Sequence, residues 1–388
     1  MLPQTMNVAE LLQQLVRIPS PNPPGDCAQI ADFCAHFLRA AGYTTQRIAP
    51  DNRAWSVVAT IGNDMGPSIM LHAHIDTVPL GQNARWNWDP FSGTLADGRI
   101  YGLGSVDDKA PLAAMLSVAA DIAIQIDRMR GRLVIVCAAD EEVGGTLGTR
   151  WLADNSFLPQ CDFVVVGEQT ANRVATANKG VVRATFRIGG RTAHATHPAN
   201  GRNAINRMAH LILDLERYQR DVLDRRRHPL LGAPSINVGT ITGGVSANVV
   251  ADACLIRVDR RMIPGEDPEA VKAELAAVAA ARQAHDPDCT YSVDEFLISP
   301  AFEASANDPL TAQLLAISAA VTNTPAEPVG YLPGSDAKHL TGVARRGMVV
   351  FGPGTYEVAH APDEYTTVAD LEATYTILRQ FAEQTLLR

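Results

Sequence analysis

The stretch VIVCAADEEVGG, residues 134–145, opens as an unbroken apolar run and ends in three acids, Asp140, Glu141 and Glu142. A short apolar run of this kind reads as a strand buried on both faces, as in a parallel sheet. Adjacent carboxylates repel each other and are costly to desolvate, so two glutamates at the end of a core strand need a purpose.

The same design recurs on either side. SIMLHAHID (68–76) ends in His72, His74 and Asp76, and DFVVVGE (162–168) ends in Glu168. WSVVATIG (55–62) is a further strand-like run, and APLAAMLSVAADIAIQI (110–126) is a helical stretch whose Pro111 suits a first turn. Residues 7–17 predict a helix capped by Asn7. PSPNPPG (19–25) stops it, and residues 26–41 predict a second helix ending at Gly42. Strands alternating with helices define an α/β domain with a mostly parallel sheet covered by helices.

The character changes near Lys179. GVVRATFRIGG (180–190) alternates apolar and polar residues, as a half-exposed antiparallel strand does. A long helical pattern follows over 202–226, then paired strand runs PSINVGTITGG (234–244) and DACLIRVDRRM (252–262), a helix near 267–284 and a strand near 289–297. This predicts an α+β insert over 179–295, flanked by a divided domain of residues 1–178 and 296–388. The helix–strand alternation resumes with NDPLTAQLLAISAAVT (307–322) and GMVVFGPG (347–354), and a helix over 367–386 follows.

Bulk properties agree with a two-domain soluble chain. Its 388 residues exceed one ordinary core, and 46% apolar with 19% charged residues is a globular composition. A net charge of -9 argues against nucleic acid or an anionic membrane as the main partner. Cys27, Cys34, Cys137, Cys161, Cys254 and Cys289 are scattered without a CxxC pair, which suits buried thiols in a reducing compartment. The opening residues lack a basic segment followed by an apolar one, and the most apolar segment is interrupted by Asp121. The expectation is a cytoplasmic protein with no membrane partner.

The chemistry collects at strand ends, where ligands bind in open α/β sheets. Two further clusters join the three above: YGLGSVDDKAP (101–111), with Asp107 and Asp108 before a helix, and GPGTYEVAHAPDEY (352–365), with His360. Each has an ordinary reading on its own. The aspartates could complement a helix N-terminus, Glu168 could be a loop acid, and His72 and His360 could be plain polar residues. Repetition at successive strand ends favours a shared site. Nitrogen and oxygen donors without thiolate suit zinc, cobalt or manganese. Two metals about 3.5–4 Å apart are a recurring hydrolytic device.

The motifs HAHIDTVP, YGLGSVDDK, AADEE, GEQT and AHAPDE stand in an order and spacing that resemble the M20 metallopeptidase family. The likeness is closest to its acetylornithine deacetylase and succinyl-diaminopimelate desuccinylase branch, and it covers nearly the whole chain, insert included. It implies a zinc-exopeptidase-like catalytic domain with an inserted lid that also dimerises. It implies two divalent metal ions, zinc first with cobalt or manganese as alternatives. His74 and Glu168 would bind one metal, Glu142 and His360 the other, and Asp107 would bridge them. The family often has a cis bond after the bridging aspartate, here Asp107–Asp108. Glu141 would be the general base, and Asp76 would accept a hydrogen bond from His74 and fix its tautomer.

In the insert, His194 matches a histidine that stabilises the oxyanion, often from the neighbouring subunit, while Asn248 and Arg261 match substrate contacts. Arg260 beside Arg261 would point the other way and serve structure, and His197 has no counterpart. Gly334 and Ser335, in LPGSDAKH, match a loop lining the substrate. Leu103, Ala110, Gln169 and Asp363 depart from the common forms of their motifs, but no ligand or base is lost.

Glu168 is the residue found in deacylases and glutamate-type carboxypeptidases, where aminopeptidases and dipeptidases tend to carry Asp. The resemblance therefore implies hydrolysis of an N-acyl amino acid, like N-acetylornithine or N-succinyl-diaminopimelate. A carboxypeptidase or dipeptidase is the alternative. An amidohydrolase barrel, suggested by His72 and His74 after a strand, would need more strand-end histidines. A non-catalytic relative would have lost a ligand or the base.

Overall fold

Three seven-residue strands, Ser68–His74, Arg132–Ala138 and Cys161–Gly167, are apolar and buried nearly end to end. The structure, a computed structural model, describes residues 7–81, 85–305 and 307–387. The opening residues on which the leader expectation rests lie outside the described residues.

These strands run parallel and in register, with His72 opposite Val136 on one side and Val166 on the other. Ala344–Phe351 continues the parallel set beside Cys161–Gly167. Ser56–Gly62 and Thr44–Ile48 extend it antiparallel on one flank, and Ala175–Asn178 on the other. The sheet is thus parallel where both faces are buried and antiparallel toward its edges.

Helices Val8–Val16, Ala28–Ala40, Lys109–Ile124, Pro309–Thr322 and Val368–Leu386 share one apolar core with it. Asn7 caps the first, accepting the Ala9 N–H at 2.9 Å. A small sheet of Thr94–Ala96, Arg99–Tyr101 and Tyr365–Thr367 went unpredicted, because three-residue strands carry no readable period. It pairs Tyr365 with Tyr101 and so brings the Asp107 loop beside the His360 loop.

The chain divides into two compact units. The first comprises Met1–Thr176, Ala304–Tyr331 and Ser335–Arg388, and the second Ala177–Glu303 with Leu332–Gly334. The predicted insert, 179–295, falls inside the second.

That unit is built on a four-stranded antiparallel sheet in the order Ser235–Gly243, Ala253–Met262, Gly180–Gly189, Thr290–Ser299. Val182, Ala184, Phe186 and Ile188 alternate onto the face covered by helices Ala204–Asp221 and Pro268–His285. The helical pattern read over 202–226 is that first helix plus a separate turn, Leu223–Arg225. Arg260 lies on the covered face with Ile256, Val258 and Met262, fully buried, and pairs with Glu266 at 2.6 Å. Arg261 faces the other way and pairs with Asp259 at 2.7 Å.

All six cysteines are free and buried. Among the described residues no helix is long and apolar enough to cross a membrane.

Candidate active site

Strand register places the site. His74 ends its strand opposite Ala138, and Glu168 follows Gly167 at the end of the neighbouring strand. Beyond Ala138 the chain turns through Asp140, at φ 75°, into the single turn Glu141–Val143. Asp140 accepts the Leu147 N–H at 2.8 Å and braces the bend. A turn rather than a continued strand lets Glu141 and Glu142 diverge.

Asp107 is the hub. One of its oxygens lies 3.0 Å from His74 Nε2, and the other lies 3.1 Å from His360 Nε2. His360 Nε2 is also 3.3 Å from Glu142 Oε2. His74, Asp107 and Glu142 each offer a ligand atom within 4.8 Å of the others. The Asp107–Asp108 peptide is cis, as expected. Asp108 accepts the His74 N–H at 3.1 Å, and a Cβ on Gly167 would lie 2.8 Å from Pro111 Cβ and 2.9 Å from Asp108 Oδ2, so a side chain there would push on both. Glu168 is not one of that close trio, but it is near enough for Asp107 and His74 to act on its charge. Tyr331 OH sits between Glu168 Oε2, at 2.9 Å, and Gln169 Oε1, at 2.7 Å.

One expected contact is different. His74 Nδ1 is bonded to the main-chain oxygen of Asp76 at 3.0 Å, while the Asp76 carboxylate lies 3.6 Å away. That carboxylate is already taken by the N–H groups of Glu141 and Glu142, at 3.1 and 3.2 Å, and by Asn22 Nδ2 at 3.0 Å.

The electrostatics are those of a site short of positive charge. Burial, then Asp107 and Asp108, hold the Glu168 carboxyl well above its ordinary value. Burial, then Asp107, raises Glu142. Burial raises Glu141 to about 7, although Lys338 opposes the shift. Hydrogen bonds to Asp107 and Glu142 push His360 up to about 10. Buried carboxyls this close either keep a proton or need cations beside them to be ionised together. Glu142 Oε1 and Asp108 Oδ1 are buried without a partner, oxygens that a hard or borderline cation would satisfy. The donors fit a divalent metal.

Three contributing residues carried no sequence assignment. Glu364 is buried and accepts the N–H groups of Val106 and Asp107 at 2.9 and 3.1 Å. Tyr331 and Lys338 bond Glu168 and Glu141. Glu364 and Lys338 lie inside quoted motifs, but only the fold shows what they touch. His72 is bonded to Thr149, at 2.7 Å, and His339 to the Gly144 carbonyl, at 3.0 Å, both away from the trio. Ser335 is buried with its hydroxyl unpartnered.

In the second unit His194 and Asn248 come together. His194 bridges to Val249, and the Asn248 carbonyl accepts the Ala195 N–H at 3.0 Å. Arg261 lies at the far end of the sheet, paired with Val181, whereas Ala253 pairs with Gly189 at the His194 end. His197 is exposed. Gly334 has open space around its Cβ position.

Imidazoles and carboxylates gathered at the carboxyl edge of parallel strands define a metallohydrolase centre. The chain belongs to peptidase family M20/M25/M40, matching it over residues 70–384, and is a metal-dependent hydrolase of amide bonds. It is 28% identical to an acetylornithine deacetylase of Proteus mirabilis across 96% of this chain and 95% of that one. Its fold is like that of a tripeptidase from Staphylococcus aureus, with TM-score 0.78, 23% identity and 99% of both chains covered. It is also like a dinuclear metal-binding M20 peptidase from Bacillus subtilis, with TM-score 0.74, 15% identity and 98% of both chains covered.

Proposed function

We propose that the protein hydrolyses an N-acyl amino acid, such as an N-acetylornithine- or N-succinyl-diaminopimelate-like substrate, to a carboxylate and a free amine. The observation that carries this is Asp107, with one oxygen on His74 and the other on His360, beside Glu141 and Glu142. His74 and Glu168 would hold one divalent cation and Glu142 and His360 a second, with Asp107 serving both. Zinc is the first choice, and cobalt or manganese suits the same donors. Bound there, the cations supply Lewis acidity toward the amide carbonyl and toward water.

The chain's own residues do the rest. Glu141 takes a proton from the attacking water and returns it to the leaving nitrogen. Asp76 fixes the turn that aims Glu141. His194 donates to the developing oxyanion, and the Arg261 fork pairs with the substrate α-carboxylate. Asn248, Gly334 and Ser335 contact the remainder of the substrate.

We further propose a homodimer formed through the inserted unit. Its strand Ser235–Gly243 is an edge strand whose Ile241 is exposed, and Val245 just beyond it is 86% exposed. Unpaired edges with apolar side chains favour association. Arg261 and Ala253 are eight residues apart on one strand, about 26 Å at 3.3 Å per residue. One small substrate cannot span that length, which supports the reading in which His194 serves the site of the partner chain. Six free buried thiols favour a cytoplasmic home.

The test is a panel of N-acetyl, N-succinyl and dipeptide substrates with zinc-loaded protein. Preference for an N-acyl amino acid supports the reading. Preference for peptides with a C-terminal glutamate favours the carboxypeptidase alternative, which shares Glu168.

A further inference from the structure

Lys338 is a buried ammonium outside the roles assigned above. Its side chain is 5% exposed, and its Nζ lies 3.0 Å from Glu141 Oε1. A buried amine is costly unless it is paired, and this one is paired with the carboxylate read as the general base.

The segment that carries it is fixed from both sides by polar ties, buried on one side and part-buried on the other. Asp336, two residues earlier, accepts from the Thr149 hydroxyl at 2.5 Å. The same hydroxyl is 2.7 Å from His72 Nε2, on the strand that ends in His74. On the other side of Lys338, His339 Nε2 is bonded to the carbonyl of Gly144, which closes the Glu141–Val143 turn. Lysine and glutamate are therefore presented to each other by backbones that are themselves anchored. Buried polar ties of this kind serve specificity more than stability.

We propose that Lys338 is a positioning residue for Glu141. By holding Oε1 it stops rotation of the carboxylate and leaves Oε2 as the oxygen that takes and returns the proton. The inference rests on the reading of Glu141 as general base. Loss of the clamp leaves the base present and misaimed, and misplacement by about 1 Å costs on the order of 100-fold in rate. Substrate binding and metal loading are expected to stay near parental, because the bond Lys338 makes is to Glu141 and not to a metal donor.

The experiment compares Lys338→Met, Lys338→Arg, Glu141→Gln and the double variant Lys338→Met/Glu141→Gln, all zinc-loaded, on an N-acetyl amino acid that the parent protein hydrolyses. Kinetics, bound zinc per chain and Tm are measured for each. Lys338→Met is expected to lower kcat by about 10- to 100-fold with KM within about twofold. Zinc content and Tm stay parental, and Lys338→Arg restores most of kcat. Adding Lys338→Met to Glu141→Gln lowers kcat no further, since the base it aims is gone. Should Lys338→Met fail to fold, Lys338→Gln removes the charge and shortens the reach to Glu141 while keeping a polar group in the buried site, and it is held to the same criteria.

Parental kcat in Lys338→Met, a rise in KM with kcat kept, or an equal further loss on the Glu141→Gln background overturns the proposal. Parental turnover by Glu141→Gln would instead overturn the reading of Glu141 itself, so the two failures are distinct.

Discussion

Asp76 Oδ1 accepts the backbone N–H of Glu141 at 3.1 Å, and its second oxygen accepts that of Glu142 at 3.2 Å. A single carboxylate at the end of one strand thus sets the orientation of both glutamates at the end of its neighbour. Asp76→Ala removes the acceptor of the part-buried Glu141 and Glu142 N–H groups and of Asn22 Nδ2, and frees the turn. Zinc affinity is expected to fall about 10- to 100-fold, as for other residues that orient ligands. Titration of metal-free protein with zinc checks this; parental affinity would count against it.

Glu364 fills the same part for the bridging aspartate. It accepts the N–H groups of Val106 and Asp107. Glu364→Ala orphans both, at about 1–3 kcal/mol each. Glu364→Gln keeps an acceptor oxygen and should cost less than half as much. Thermal unfolding of the two variants gives the order parent, Gln, Ala.

The inserted unit should respond to acid through Glu266 and Glu274. Burial works against ionised Glu266, but hydrogen bonds from Arg260, the Ile263 N–H and Arg226 outweigh it and hold its carboxyl below the ordinary range. Glu274 is held down in the same way by Arg226 and Tyr218, again against burial. A carboxyl lowered in the folded state contributes stability above its unfolded value, about 4.3, and loses it as pH falls through the folded value. The unit should therefore weaken as the solution is acidified below about pH 4. Glu266→Ala strands the buried Arg260 charge and is expected to cost about 3–5 kcal/mol at neutral pH, with a flatter acid limb. Melting curves between neutral and acid pH test both statements.

Association through the edge strand makes its own prediction. Ile241→Lys places a charge on the exposed edge, a device that blocks edge pairing. Sedimentation should show the variant shifted toward monomer, with activity lost in proportion under the proposed trans role of His194. A fully active monomer would contradict the trans role of His194.

The α/β frame was legible because VIVCAADEE, SIMLHAHID and DFVVVGE are apolar runs whose last residues change character together. The burial of Arg260 beside Arg261 was legible from strand alternation alone. The Asp76 carboxylate was expected on His74 because i and i+2 share a face of a strand. The strand ends at His74, so that rule no longer holds at Asp76. Tyr331, Lys338 and Glu364 act through contacts 163, 197 and 257 residues away in sequence, a separation over which no local pattern carries information. The pairing of Tyr365 with Tyr101 escaped because its strands are too short to carry a period and lie far apart in sequence.

The adjacent glutamates of ADEE are assigned separate tasks, a metal ligand at Glu142 and a base at Glu141. Glu141→Gln tests that division most directly, with zinc content and turnover of an N-acetyl amino acid measured on the same preparation. The parental amount of zinc per chain is expected, with kcat lowered by about 10²- to 10⁴-fold, the usual contribution of a general base. Parental turnover by the zinc-loaded variant would contradict that division.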